Sequence, residues 1–262
     1  MAAHFQDYLL HLADNAVILG QRNAQWCGHG PVLEEDLALA NNSLDLIGQA
    51  RLLYQHVVTV RKDGKSSEDL LAYFRDVPEF KNYTLLELPH STALAPTSSG
   101  DRDYAVTIGR NFLYSALMVL VWEALKGSAD AQLAAIASKS LKETQYHLRH
   151  ARDWMLRLGD GTDESHAKMQ AAINHLMPYT QEFFAPSAME TAVVKSGQGA
   201  DTRALQAAWT QLVDDALAEA TLTRPAAGGY VTTGKTGVHS EHLGFVLAEM
   251  QSLARAHPEA VW

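Results

Sequence analysis

The sequence predicts an all-α protein, and three observations carry that prediction. Ala and Leu together number 73, against 21 for Val and Ile. Unbranched side chains lose little freedom in a helix, and β-branched ones lose more. Apolar residues recur at three- and four-residue steps through several long segments, as one face of a helix requires. Gly and Pro total only 25 and mostly fall between those segments.

The first helix is expected over about 6–26, with Leu9, Leu12, Ala16, Leu19 and Trp26 on one face. Gly28, Gly30 and Pro31 break it. Pro31 then suits the start of a second helix, and Glu34, Glu35 and Asp36 suit its positive end. That helix runs to about Val60 with Leu33, Leu37, Ala40, Leu44, Ile47 and Tyr54 in line as its core face. Residues 70–100 read as irregular because Pro78, Pro89 and Pro96 fall there, and 96–100 as a surface loop. A second hairpin follows, with arms of about 102–126 and 131–158 and Gly127-Ser128 as its turn. Further helices are expected over Ser165–Met177, Thr202–Leu222 and Ser240–Ala256, with a glycine-rich loop at 228–237. Two long hairpins, about 6–60 and 102–158, joined by a long connection are what a ferritin-like four-helix bundle needs. The expected architecture is one domain over 1–262: that bundle, with additional C-terminal helices over about 165–256.

Composition narrows the function. The formal charge of −9 opposes wrapping nucleic acid or lying on an anionic membrane. A single cysteine, Cys27, allows no intrachain disulfide. The start of the chain lacks the basic and apolar regions of a signal peptide, and the longest wholly apolar run, Ala116–Trp122, is short for a bilayer. The expectation is a cytoplasmic protein with no nucleic acid and no membrane partner.

Ferritin-like carboxylate proteins bind two metals with one Glu from each of two helices and Glu-x-x-His from each of the other two. Residues three apart share a helix face and reach one ion together. Only Glu87…His90 and Asp163…His166 have an acid and His at this spacing, and both lie at turns. At the places where the motif belongs, Asp45 is followed by Gly48 and Glu143 by Tyr146. Glu143, His147 and His150 follow one another at i, i+4 and i+7 and form an alternative ligand set, with Asp45 opposite. The plainer reading makes them polar groups satisfied by neighbours, with Asp45 a buried carboxylate. His239 and His242 resemble half a metal site, though Ser240 between them suits a helix N-cap. Gly234-Lys235-Thr236 echoes a phosphate loop without its upstream glycines. Cys27 reads as a buried thiol, and Arg149, Arg152 and Arg157 as solvated surface.

Several blocks carry a family resemblance: Trp26-Cys-Gly-His29, Asp36–Asn41, Leu44-Asp-Leu-Ile-Gly-Gln-Ala-Arg51, Lys142-Glu-Thr-Gln-Tyr-His-Leu-Arg149, Lys168–Asn174, His239-Ser-Glu-His-Leu-Gly244 and Leu247–Gln251. Together they resemble the PaaC family, subunits of the multicomponent phenylacetyl-CoA epoxidase of aerobic phenylacetate degradation. The resemblance spans nearly the whole chain, Trp262 included. It implies a ferritin-like fold and a structural, non-catalytic role. A sister subunit, PaaA, is then expected to carry the di-iron centre and bind phenylacetyl-CoA. A reductase would supply electrons from NADPH, and the ring would become a 1,2-epoxide using O2. On this view the chain itself holds no cofactor or metal and has no catalytic residue. Asp45, Gly48, Glu143 and Tyr146 become remnants of a lost site. Association with the other subunits follows, and a homodimer is left open. Two other classes compete: an oxygenase using Glu143, His147 and Asp45 itself, and a regulatory module that holds the catalytic chain transiently.

Overall fold

A computed structural model describes residues 2–94, 102–226 and 228–260. The loop expected at 96–100 and the terminal Trp262 lie outside the described residues. The described residues are helical or irregular, with no strand beyond a single bridge between Thr233 and Val238. The chain divides into two compact units, one of residues 1–88 and 233–262, the other of residues 89–232.

The first unit is built on α1 (Ala2–Ala24) and α2 (Leu33–Arg61), which pack along their length. The expected face of α1 is the buried one: Leu9, Leu12, Ala16, Leu19 and Trp26 are all in the core. The turn depends on Gly28, whose φ is +76°, and on Gly30, where a Cβ would lie 2.7 Å from the backbone nitrogen of Asp36. The face expected for α2 is not its core face. Leu33, Leu37 and Leu44 are 72%, 56% and 67% exposed, and Ile47 is 40% exposed. Leu39, Leu46, Ala50, Leu53 and Val57 are buried instead, together with Asn42, Ser43 and Gln49. The helix is apolar on two sides, so periodicity alone could not choose between them. Of the expected line, only Tyr54 is fully buried.

The stretch expected to be irregular contains short helices, α3 (Glu68–Tyr73) and α4 (Thr84–Glu87), with a 3₁₀ turn at Val77–Glu79 between them. Ser67 caps α3 by accepting from the backbone of Leu70. Polar residues of α1 hold the segment that follows. Asp14, wholly buried, pairs with Arg75 and accepts from Tyr54 Oη at 2.7 Å and from Lys81 N at 2.8 Å. Asn15 Oδ1 accepts from Tyr83 N at 2.7 Å, and His11 Nδ1 lies 2.6 Å from the Lys81 carbonyl. Burial, then Asp14, pushes the Tyr54 hydroxyl well above its ordinary value. Burial works against the Arg75 charge, but Asp14 and Tyr54 outweigh it and hold that charge more firmly than usual. The last long helix, α11 (Glu241–Ala256), closes this unit, with Gln251 donating to the carbonyls of Ala72 and Arg75. Its N-cap residue is Ser240, as expected, but the side chain makes no capping bond.

In the second unit α5 (Tyr104–Leu125) pairs with α6 (Ala131–Gly159), each capped by an aspartate, Asp103 and Asp130. α7 (Asp163–Leu176), α8 (Gln181–Phe184), α9 (Ala188–Lys195) and α10 (Thr202–Glu219) complete it. By length and composition α5 would suit a bilayer, but 89% of its most apolar window is buried, where it packs against α6, α7 and α10. The buried Trp209 of α10 donates from Nε1 to the Leu113 carbonyl of α5 at 3.1 Å. Gly159 ends α6 where a Cβ would stand 2.3 Å from the Ala220 carbonyl oxygen. α10 stops three residues short of expectation, at a turn where Thr221 takes φ +58°.

Removing one partner of a buried ion pair leaves the other charge stranded, at a cost of about 3–5 kcal/mol. Asp14→Ala is expected to lose that much in urea unfolding of the full chain. A loss below about 1 kcal/mol would show that the 75–83 segment is held by packing rather than by Asp14.

Candidate functional site

The residues predicted to matter are distributed over both units. On α2, Asp45 and Gly48 are half-buried, so Asp45 is not the core carboxylate expected. A Cβ built at Gly48 meets nothing within 4 Å, so no close approach demands glycine there. Gly48 also offers no donor atom.

On α6, Glu143 is half-buried and lies 3.7 Å from Lys139 Nζ, one turn back. His147 is buried, while Tyr146 is 45% exposed. Tyr146 stacks on His150 at 6.4 Å with an interplanar angle of 16°, and the Arg149 guanidinium lies 5.6 Å from its ring. Tyr146, three residues after Glu143, therefore places a phenol within an aromatic and cationic surface cluster. Among the described residues, no three His, Cys, Asp or Glu side chains converge as a metal site would require. Glu143, His147 and His150 share a helix but do not form such a group.

The two acid-x-x-His pairs are used locally. His90 Nδ1 lies 2.7 Å from Thr107 Oγ1, and His166 Nδ1 lies 2.7 Å from the Gly159 carbonyl. Glu87 turns instead to His239, 2.7 Å from His239 Nδ1, whose Nε2 lies 2.8 Å from the Phe80 carbonyl. Both ring nitrogens of His239 are thus engaged, and the half metal site suggested by His239 and His242 is not formed. Burial, followed by the Arg22 charge, pushes His242 below the usual imidazole range. Gly234-Lys235-Thr236 is one 3₁₀ turn, with Gly234 pressed so close that a Cβ would stand 2.5 Å from the Asn82 carbonyl oxygen. Lys235 is buried there, with Nζ 5.8 Å from the Tyr83 ring. That glycine serves packing and not a phosphate. Cys27 is exposed, contrary to expectation. Of the α6 arginines, Arg152 pairs with Glu219 and Arg157 lies 5.3 Å from the Trp154 ring.

Two polar clusters escaped the sequence reading, Asp14–Tyr54–Arg75 and Asn82–Glu87–His239. Each joins residues far apart in the chain, so no local spacing announces them. The helix α9 was not expected either, although Ser187 and Glu190, which form a capping box, are the local signal that could have announced it.

The described residues thus form a helical protein in which no three His, Cys, Asp or Glu side chains are gathered as a metal site requires. A family model described as phenylacetic acid catabolic protein matches residues 2–262. A curated relative, one of the subunits of the 1,2-phenylacetyl-CoA epoxidase of Escherichia coli (strain K12), is 44% identical over 255 residues, or 97% of this chain and 98% of that protein. The all-α architecture with two long helical hairpins is consistent with the ferritin-like fold expected. By a match over essentially its whole length, the chain belongs to the phenylacetic acid catabolic protein family.

Proposed function

We propose that this chain is the structural, non-catalytic subunit of a cytoplasmic phenylacetyl-CoA epoxidase. It would support a sister subunit of the PaaA kind that carries the di-iron centre and binds phenylacetyl-CoA, with a reductase passing electrons from NADPH. One observation carries the reading: end-to-end identity of 44% to a protein named as a subunit of that epoxidase. The donor chemistry supports it. Gly48 supplies no ligand atom, and Tyr146 stands in a surface cluster. The residues present do not fit a di-iron centre, and no chemical step is routed through this chain.

The exposed side of α2 supports an assembly role. Leu33, Leu37, Leu44 and Ile47 form a stripe on one side of the helix, continued by Val32 at its start, which is 50% exposed. At 1.5 Å per residue it runs about 20 Å. Soluble proteins rarely leave so continuous an apolar surface uncovered, and such a stripe suits a protein partner.

Leaving this chain out of a reconstituted epoxidase is expected to abolish turnover. Full activity from the sister subunit and reductase alone would rule the proposal out. The double variant Leu37→Glu/Leu44→Glu is expected to keep its helical circular dichroism and lose co-purification with the sister subunit. Unchanged co-purification would clear the α2 stripe of that role.

Asp45 and Glu143 are half-buried, and an ion pair near the surface such as that of Glu143 with Lys139 contributes about 0–1 kcal/mol. Asp45→Ala and Glu143→Ala should therefore change stability by less than about 1 kcal/mol. Turnover of the assembled complex should stay within about three-fold of wild type, whereas a catalytic acid or base would cost about 10²-fold or more.

A further inference from the structure

The Glu87 carboxylate and the His239 imidazole are both completely shielded from solvent. Glu87 Oε1 accepts from Ser240 N at 2.6 Å, and Oε2 accepts from Asn82 Nδ2 at 2.8 Å. Oε2 also lies 2.7 Å from His239 Nδ1, and His239 Nε2 lies 2.8 Å from the Phe80 carbonyl oxygen. A carbonyl oxygen can only accept, so Nε2 carries a proton. Both carboxylate oxygens already act as acceptors, from Ser240 N and Asn82 Nδ2, so the hydrogen bond to Oε2 is donated by Nδ1, which carries a proton too. A neutral imidazole has one N–H and could serve only one of these two acceptors.

We propose that His239 is held as an imidazolium between Glu87 and the Phe80 carbonyl, forming a proton-dependent latch that fixes the start of α11 to the 80–87 segment. The latch lies within the first unit. Charged and titratable groups face it from several elements. From α1, Arg22 donates to the main-chain carbonyl of Glu87, and His11 contacts the Lys81 carbonyl. Lys235 comes from the 3₁₀ turn against Tyr83, and Glu241 and His242 come from α11. The Arg22 charge is held less firmly than usual, near 10, by burial set against Glu249 and Glu87.

An unfolded His239 loses its second proton near pH 6.5. The folded protein keeps that proton above this pH, so folding takes up one proton there. The stability contributed by the pair is complete below about pH 6.5 and declines as pH rises. The folding equilibrium constant should fall about tenfold per pH unit from this pair alone. This continues until the folded pair itself releases the proton.

The test uses the full chain. Urea unfolding of wild type and His239→Gln is measured between pH 6.5 and 8.5. The wild-type folding constant is expected to fall about tenfold more per pH unit than that of the variant. His242 and every other titrating group are present in both proteins and cancel. Should the variant fail to fold, nitrogen NMR of histidine-labelled wild type at pH 8 decides independently. One buried ring with both nitrogens protonated is expected. Equal pH slopes, or no histidine ring with two protonated nitrogens at pH 8, would overturn the proposal.

Discussion

Helix α1 carries Asp14, Asn15 and His11 into the interior of the first unit, and the need to satisfy these buried polar groups organises what surrounds them. Asp14 draws in Arg75, Tyr54 and the Lys81 amide, and Asn15 takes the Tyr83 amide. Asn82, between those two amides, donates to Glu87, which in turn holds His239 and the Ser240 amide. A set of wholly or partly buried hydrogen bonds thus leads from α1 through the 75–88 segment to the N-terminal end of α11. Each bond is modest in net terms, but leaving any buried partner unsatisfied costs about 1–3 kcal/mol. This explains how a stretch with little helical periodicity is ordered, and why the C-terminal residues return to the first 88.

The same contrast explains what could be read from the chain. The long helices were legible because local rules fix them: a periodic face on α1 and glycines at the turns. The core face of α2 was not, because Leu33, Leu37, Leu44 and Ile47 repeat as regularly as Leu39, Leu46 and Leu53. Tertiary packing buries the second set and leaves the first to solvent. The 70–88 segment resisted reading because Asp14–Lys81 and Glu87–His239 span dozens of residues or more. His239 looked like a ligand for the same reason, since its acceptors lie some 150 residues earlier in the sequence.

At the candidate site, residue identity was informative and burial was not. Gly48 and Tyr146 disqualify α2 and α6 as carriers of Glu-x-x-His whatever their orientation. The half-exposure of Asp45 and the surface stacking of Tyr146 depend on packing and emerge only in three dimensions. Polar effort in the first unit goes into internal order, while apolar surface is left outward on α2. That division suits a chain that acts through assembly.

The most direct measurement is the iron content of the purified chain after reconstitution with ferrous ion and air. A ferritin-like centre needs four carboxylates and two histidines converging in one bundle. A structural role predicts well under one iron per chain and no two-iron absorption or Mössbauer signal. A stable centre of two irons per chain would contradict it and make this helical protein an oxygenase component in its own right.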